Sequence, residues 1–445
     1  MKDASRERIP AEVASKPKQA GEVRARWAWT EPAVWTERML TALEEGVKGG
    51  VWFSLMDKVY SPRALESAWN QVKSNRGSGG VDRETVQQFE SQAEPRLREL
   101  SEALKNETYR PLPVRRVYIP KADGRKRPLG IPAVRDRIVQ ASLRSVLEPI
   151  FEREFSEHSY GFRPGRGAKD ALRRVDRLLS EGCRYVVDAD LKSYFDTIPH
   201  DRLMERVKER VADGRVLSLI TAFLKQGVLE EGQEWIPAQG SPQGAVVSPL
   251  LANVYLHPLD VRMREAGYEM TRYADDFVVQ CRTAEEARQA METIRQWTET
   301  VGLTLHPEKT RIVDMNEPGG FDFLGYHFER GERRPRRSSL KKFKDAIRQK
   351  TRRTQGRSLE VIIEDVNRTT RGWFNYFQHI VHYKFVDLDG WIRMRLRSIL
   401  RKRSKRRGRG RGLDNHRWPN AYFTERGLFT MYEAYVRTCQ SLRAH

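Results

Sequence analysis

The chain has 445 residues, 39% of them hydrophobic and ten of them Trp, which is enough to bury two or three cores and excludes wholesale disorder. Lys and Arg number 81 against 60 Asp and Glu, a net +21 that points to a polyanionic partner, nucleic acid above all, and the segment 331–412 alone carries 26 of the basic residues and only 7 acids. Three dispersed cysteines, Cys183, Cys281 and Cys439, exclude a disulfide scaffold and a paired-cysteine zinc module, and with no run of about 18 apolar residues and no signal-peptide pattern the expectation is a cytoplasmic protein without a membrane partner.

Residues 1–26 are polar and aperiodic and read as disordered, whereas Trp27, Trp29 and Trp35 suggest a segment that docks. Helical spacing begins at Ser61 with Leu65, Trp69 and Val72, and resumes through Phe89, Leu97, Leu100 and Leu104. The glycines between, Gly77 to Gly80, lack the lysine and preceding strand of a phosphate loop and read as a flexible connection. From Val114 to Pro132 the pattern is strand, Asp123-Gly124 turn, strand, a hairpin whose tip carries Lys121, Arg125, Lys126 and Arg127. Such a tip suits a triphosphate, because Lys neutralises phosphate oxygens and Arg can grip them bidentately. A long helix from Arg135 to Phe155 follows.

Tyr185 to Val187 starts as a buried strand, and Asp188, Asp190 and Asp196 follow as it emerges. Gln239 to Leu256 is a Gly- and Pro-rich loop that opens a helix, a backbone bare enough for a nucleobase or sugar to approach. Two strand-forming runs, Met270 to Tyr273 and Phe277 to Cys281, then flank Asp275 and Asp276 as a hairpin with acids at its turn. Facing aspartates repel one another, and a hard divalent cation such as Mg²⁺ is the usual neutraliser; an exposed acidic turn is the alternative. Acids from one strand and from a hairpin 85 residues later are what two-metal phosphoryl transfer needs. Beyond Arg330 three basic helices are expected, Ser338 to Arg353, Ser358 to Val381 and Phe385 to Arg403, and the Arg- and Gly-rich run 401–412 reads as a flexible arm.

The order Asp190, then Pro242-Gln243-Gly244 with Ser248-Pro249, then Tyr273-Ala274-Asp275-Asp276 resembles the palm of a reverse transcriptase. More narrowly, residues 75–82, the Ile119-Pro120-Lys121 hairpin, residues 159–164, residues 302–309 and Phe323-Leu324-Gly325-Tyr326 are similar to group II intron-encoded reverse transcriptase/maturases, from about Leu55 to the C-terminus. The resemblance implies an α+β right-hand polymerase fold: an antiparallel-sheet palm with helices, fingers, and an α-helical thumb/maturase domain. It divides the chain into an N-terminal extension at 1–54, partly disordered, and the helical start of the fingers at 55–112. Reverse transcriptase fingers and palm then span 113–330, the basic helical thumb/maturase domain 331–405, and a basic arm with a short DNA-binding tail 406–445.

It further implies an RNA-directed DNA polymerase that extends a DNA primer on an RNA template with two Mg²⁺ ions, binds group II intron RNA for splicing and retrohoming, and meets target DNA and dNTPs. Asp190, Asp275 and Asp276 would be the catalytic, metal-holding acids, helped by the Leu191 carbonyl. Lys121 and Arg127 would hold the triphosphate and Gln243 the incoming nucleotide. Tyr194, with Phe195 as the alternative, would be the aromatic gate against a 2′-hydroxyl, and Lys309 the proton donor to pyrophosphate. The resemblance is to the class C members, and the expectation is a chain without the family's endonuclease module of His and paired Cys. The competing readings are a non-enzymatic splicing cofactor and an intron-free reverse transcriptase in host defence or repair.

Overall fold

The computed structural model describes residues 20–120, 126–408, 410 and 412–443. The chain forms two compact units, each assembled from separated stretches. The first takes residues up to Ile119, Arg127–Phe155 and Phe195–Tyr255; the second takes Pro120–Lys126, Ser156–Tyr194 and Leu256 onward.

In the first unit the helix Val134–Glu152 is buried along most of its length and packs on the helix Pro62–Ser74, whose Leu65, Ala68 and Val72 supply the facing stripe. Of the N-terminal tryptophans, Trp27 and Trp35 belong to this core while Trp29 is exposed: Trp35 is fully buried, donates its indole N–H to the Ser145 carbonyl at 2.9 Å, and meets Trp52 edge-on at 5.4 Å. A four-stranded sheet runs in the order β2-β1-β4-β5, with β1 Val114–Pro120, β2 Lys126–Ile131, β4 Val228–Glu230 and β5 Gln233–Trp235. Residues 121–125, the expected cationic tip with Lys121, lie outside the described residues. The glycine run 77–80 is no flexible connection. The Arg115 guanidinium donates to the Gly79 carbonyl at 2.8 Å, and that of Arg137 to the carbonyls of Ser78 and Pro132, so two guanidinia pin the loop.

The second unit is built on the antiparallel sheet β6-β7-β3-β8, with β3 Tyr185–Asp190, β6 Glu269–Tyr273, β7 Asp276–Cys281 and β8 Arg311–Asp314. One face carries Val187, Ala189, Phe277 and Val279 and lies against the helix Ala284–Thr300. The other carries Val186, Val278 and Val313, joined to a core that continues through β9 Phe321–Phe323 and β10 Tyr326–Glu329 into the C-terminal helices. The third strand of that small sheet is β11 Glu332–Pro335. The expected basic helices are Arg337–Lys350, Leu359–Phe377 and Tyr383–Arg403.

The flexible arm is corrected in its described part. Gly410 N–H donates to Ser398 Oγ at 3.0 Å and Arg401 pairs with the buried Asp414 at 2.7 Å. Three short helices, Asp414–Arg417, Asn420–Thr424 and Met431–Arg443, follow, and Trp418, Phe423, Leu428 and Met431 join the same core as Phe374 and Phe385. Apolar side chains spaced through the tail outweigh its charge; burying each is worth about 1.5–3 kcal/mol.

Candidate active site

In the second unit the sheet register sets the acids. Asp190 lies directly across from Asp276, and Asp188 across from Val278 and Arg311. Paired residues point to one face and alternate residues share it, so Asp188, Asp190 and Asp276 stand together at the polar end of the face whose other end is hydrophobic core. Burial, with Asp275, Asp188 and Asp190 adding like charge, pushes the Asp276 carboxyl up to about 7. Asp188 rises to about 6, again chiefly by burial, with Arg311 at 3.7 Å opposing the shift. The cluster is short of positive charge. The Lys309 ammonium supplies some of it by pairing with the Asp190 carboxylate.

The segment 304–310 laces itself to the end of β3: His306 N–H donates to the Asp190 carbonyl at 2.7 Å and Lys192 N–H to the Thr304 carbonyl at 2.8 Å. This ladder uses neighbours on both sides of Leu191 and leaves the Leu191 carbonyl out of it.

The β6–β7 hairpin closes through the two-residue loop Ala274-Asp275, because Tyr273 pairs with Asp276. Ala274 sits at φ 59°, where an L-residue is strained by roughly 1–2 kcal/mol, so something must hold it. Arg272 does. Fully buried, it donates from Nη1 to the Ala274 carbonyl at 3.0 Å and grips the buried Asp260 with Nε at 2.7 Å and with Nη2. Its backbone exchanges bonds with His158 and Tyr160, which brings Gly161 so close to Tyr273 and Ala274 that a Cβ there would collide with their main chain. The sequence signals for this pair, a charge in an apolar strand and another in the apolar helix Ser248–Glu265, went unused in the sequence reading.

In the first unit, Gln243 is the centre of the Pro-Gln-Gly loop. Its Oε1 accepts from Arg127 Nε at 2.7 Å, its Nε2 donates to Asp196 at 3.3 Å, and its carbonyl accepts from Gly130 N–H at 2.7 Å. The loop is rigid: Ser241 N–H donates to the Phe195 carbonyl at 2.7 Å, and Ser241 Oγ to Ser248 Oγ at 2.6 Å. Gly244, at φ 113°, lies where a Cβ would strike the Gly130 carbonyl. Asp196, left among generic strand-end acids by the sequence, thus orients the Gln243 amide. Tyr194, at 2% exposure, is sealed in the second unit, whereas Phe195, at 7%, belongs to the first.

Acids on an antiparallel sheet end and a tight acidic hairpin define the palm of a polynucleotide polymerase, and the comparisons make the class specific. The reverse transcriptase (RNA-dependent DNA polymerase) family matches residues 119–328, and the maturase-specific domain of group II introns matches 340–418. Protein YkfC of Escherichia coli (strain K12) is 33% identical over 351 residues, covering 69% of this chain and 86% of that protein. Group II intron-encoded protein LtrA of Lactococcus lactis subsp. cremoris is 40% identical over 196 residues, 43% of this chain and 32% of its own length. An uncharacterized 91 kDa protein in the cob intron of Schizosaccharomyces pombe is 40% identical over 195 residues, again 43% of this chain and 24% of that protein. The chain thus spans a third or less of these last two relatives. Among solved structures, a partial Cas6-RT-Cas1–Cas2 complex aligns at 22% identity and TM-score 0.36 over 56% of this chain and 42% of that one.

The chain belongs to the group II intron reverse transcriptase/maturase family, and its enzyme class is RNA-directed DNA polymerase. Its substrates are therefore nucleic acids. Among the described residues no helix is long and apolar enough to cross a membrane.

This polymerase family depends on divalent metal. Among the described residues no three His, Cys, Asp or Glu side chains form a metal cage by themselves. Mg²⁺ does not need one, since it is commonly held by one or two carboxylates while substrate phosphates and water complete its shell. Facing Asp190 and Asp276, the latter resisting ionisation until positive charge approaches, fit that donor set.

Proposed function

We propose that the chain copies RNA into DNA at the acid cluster of the second unit and also binds group II intron RNA to assist its splicing and retrohoming into target DNA. The observation that carries the catalytic part is the register that sets Asp190 against Asp276 beside the strained Ala274-Asp275 turn. Asp190, Asp275, Asp276 and the Leu191 carbonyl would hold two Mg²⁺ ions. When bound, these ions supply Lewis-acid activation of the primer 3′-hydroxyl and neutralisation of the triphosphate and departing pyrophosphate.

The chain's own groups do the rest. Arg127, with Lys121, binds triphosphate oxygens; Gln243, clamped between Arg127 and Asp196, presents a fixed amide to the incoming nucleotide. Phe195, the less enclosed of the two aromatics, excludes a ribose 2′-hydroxyl by contact, while the sealed Tyr194 anchors the strand end. Lys309, paired with Asp190, carries the proton that pyrophosphate takes up. The basic helices after Arg336 grip intron RNA through phosphates; Lys344, Arg348 and Arg395 converge on Trp391 within 5.5–5.8 Å of its ring.

Primer extension tests the reading. Wild type is expected to add dTTP to oligo(dT) on poly(rA), and Asp275→Asn to add none; a folded, RNA-binding wild type that extends nothing would overturn it.

A further inference from the structure

The first unit holds a cavity of about 330 Å³ that no role above requires. Its floor is one face of the sheet. Val114 pairs with Val228 and Val228 with Trp235, so the three stand in a row across β1, β4 and β5, and Arg116, two residues on from Val114, points the same way. Pro128, Pro237 and Pro242 complete walls that are mainly apolar.

Two features of this floor are out of place in a structural cavity. Trp235 is 43% exposed at the end of a short edge strand, next to Ile236 at 69%. The Arg116 guanidinium lies over the Trp235 ring at 5.6 Å, and its buried Nε has no hydrogen-bond partner. A buried, unsatisfied donor costs roughly 1–3 kcal/mol, so an acceptor entering the cavity would be stabilised there. Phosphate is a poor candidate, because the Asp196 carboxylate lines the same cavity and would repel it. A flat, uncharged ring with acceptor atoms on its edge answers both features: it stacks on the indole beside the guanidinium and, through an edge acceptor, takes the in-plane Nε–H. Every nucleobase is such a ring, and the cavity has room for one.

We propose that Trp235 and Arg116 form a stacking platform for an unpaired base of the template strand, reached before that base is copied. This rests on the polymerase reading for the identity of the strand. The Pro-Gln-Gly loop forms the opposite wall, so a base seated here lies against the same rigid backbone as Gln243.

The test is equilibrium binding, which needs no polymerisation and so separates failure of the platform from failure of the polymerase reading. A labelled RNA–DNA primer–template is prepared blunt and with a five-nucleotide 5′ template overhang, and binding is read by fluorescence anisotropy without dNTP. Trp235→Ala is expected to weaken overhang binding about five- to a hundredfold relative to wild type and to leave blunt-duplex binding unchanged. Trp235→Phe, which keeps a stacking face, is expected to retain most of the affinity. Equal loss on both substrates, or no loss on either, would overturn the proposal. So would an unchanged overhang affinity with a raised KM for dTTP, which would place the incoming nucleotide on the platform instead. Trp235 is largely solvent-facing, and matched thermal unfolding of wild type and variant confirms that the comparison is between folded proteins.

Discussion

Removing Asp260 should undo the acidic β6–β7 hairpin from a distance. Its carboxylate takes two arms of the fully buried Arg272 guanidinium, whose third arm fixes the Ala274 carbonyl. Burial works against the charge on Arg272, yet Asp260 more than offsets it and holds the guanidinium pKa above its ordinary value. In Asp260→Ala the buried cation loses the carboxylate that contributes most to its charge balance, a change that costs about 3–5 kcal/mol. For a unit of this size each kcal/mol lowers the unfolding midpoint by roughly 2–4 °C, so the variant should melt about 6–20 °C lower. An apolar pair, Asp260→Leu with Arg272→Met, should recover most of that stability while leaving extension crippled, because the Ala274 carbonyl has lost its donor. Differential scanning calorimetry with parallel primer extension reads both quantities. A single variant that melts within about 2 °C of wild type, or a double variant with full activity, would refute the reasoning.

Three further outcomes follow. Asp136 is buried and accepts from Tyr109 Oη at 2.6 Å and Leu112 N–H at 3.0 Å, and burial raises its pKa to about 6 from 3.8. A raised carboxyl contributes stability below its unfolded pKa and loses it as pH climbs through the folded value; relative to Asp136→Asn, wild type should therefore lose about 2 kcal/mol between pH 4 and 6.5, and parallel urea-melt profiles would contradict this. Phe195→Ala should raise UTP incorporation relative to dTTP by on the order of 10²-fold, whereas Tyr194→Ala should leave the ratio unchanged; the reverse pattern would return the gate to Tyr194. Lys309→Ala should slow single-turnover incorporation by about 10²-fold or more with the dNTP KM unchanged, and a change confined to KM would assign Lys309 to binding instead.

What the sequence made legible was whatever depends on local pattern. The strand–turn–strand around Asp275 and Asp276, the helix after the Pro-Gln-Gly loop and the three basic helices all follow from periodicity and turn chemistry, and for the hairpin strands and the basic helices the observed bounds differ from the expected ones by a few residues at most. Contacts between distant residues were not legible. Arg272 with Asp260, Asp196 with Gln243, and the two arginines on the glycine run pair across 12 to 59 positions, and spacing carries no record of such partners. The tail was misread for a related reason. Its run of arginines dominates composition, while the four apolar side chains that dock it are spread over 14 residues and show no period of their own. The tryptophans at 27 and 35 read as docking residues, but only the fold shows that they complete the first unit's core.

In the proposed reaction Asp190 and Asp276, set opposite one another, carry the chemistry rather than the fold. Single-turnover incorporation of dTTP on poly(rA)·oligo(dT), measured for wild type, Asp190→Asn and Asp276→Asn at matched primer–template affinity, tests it most directly. Both variants should bind the primer–template as wild type does and fall by about 10³-fold or more in rate. Incorporation by either variant within tenfold of wild type would contradict the account.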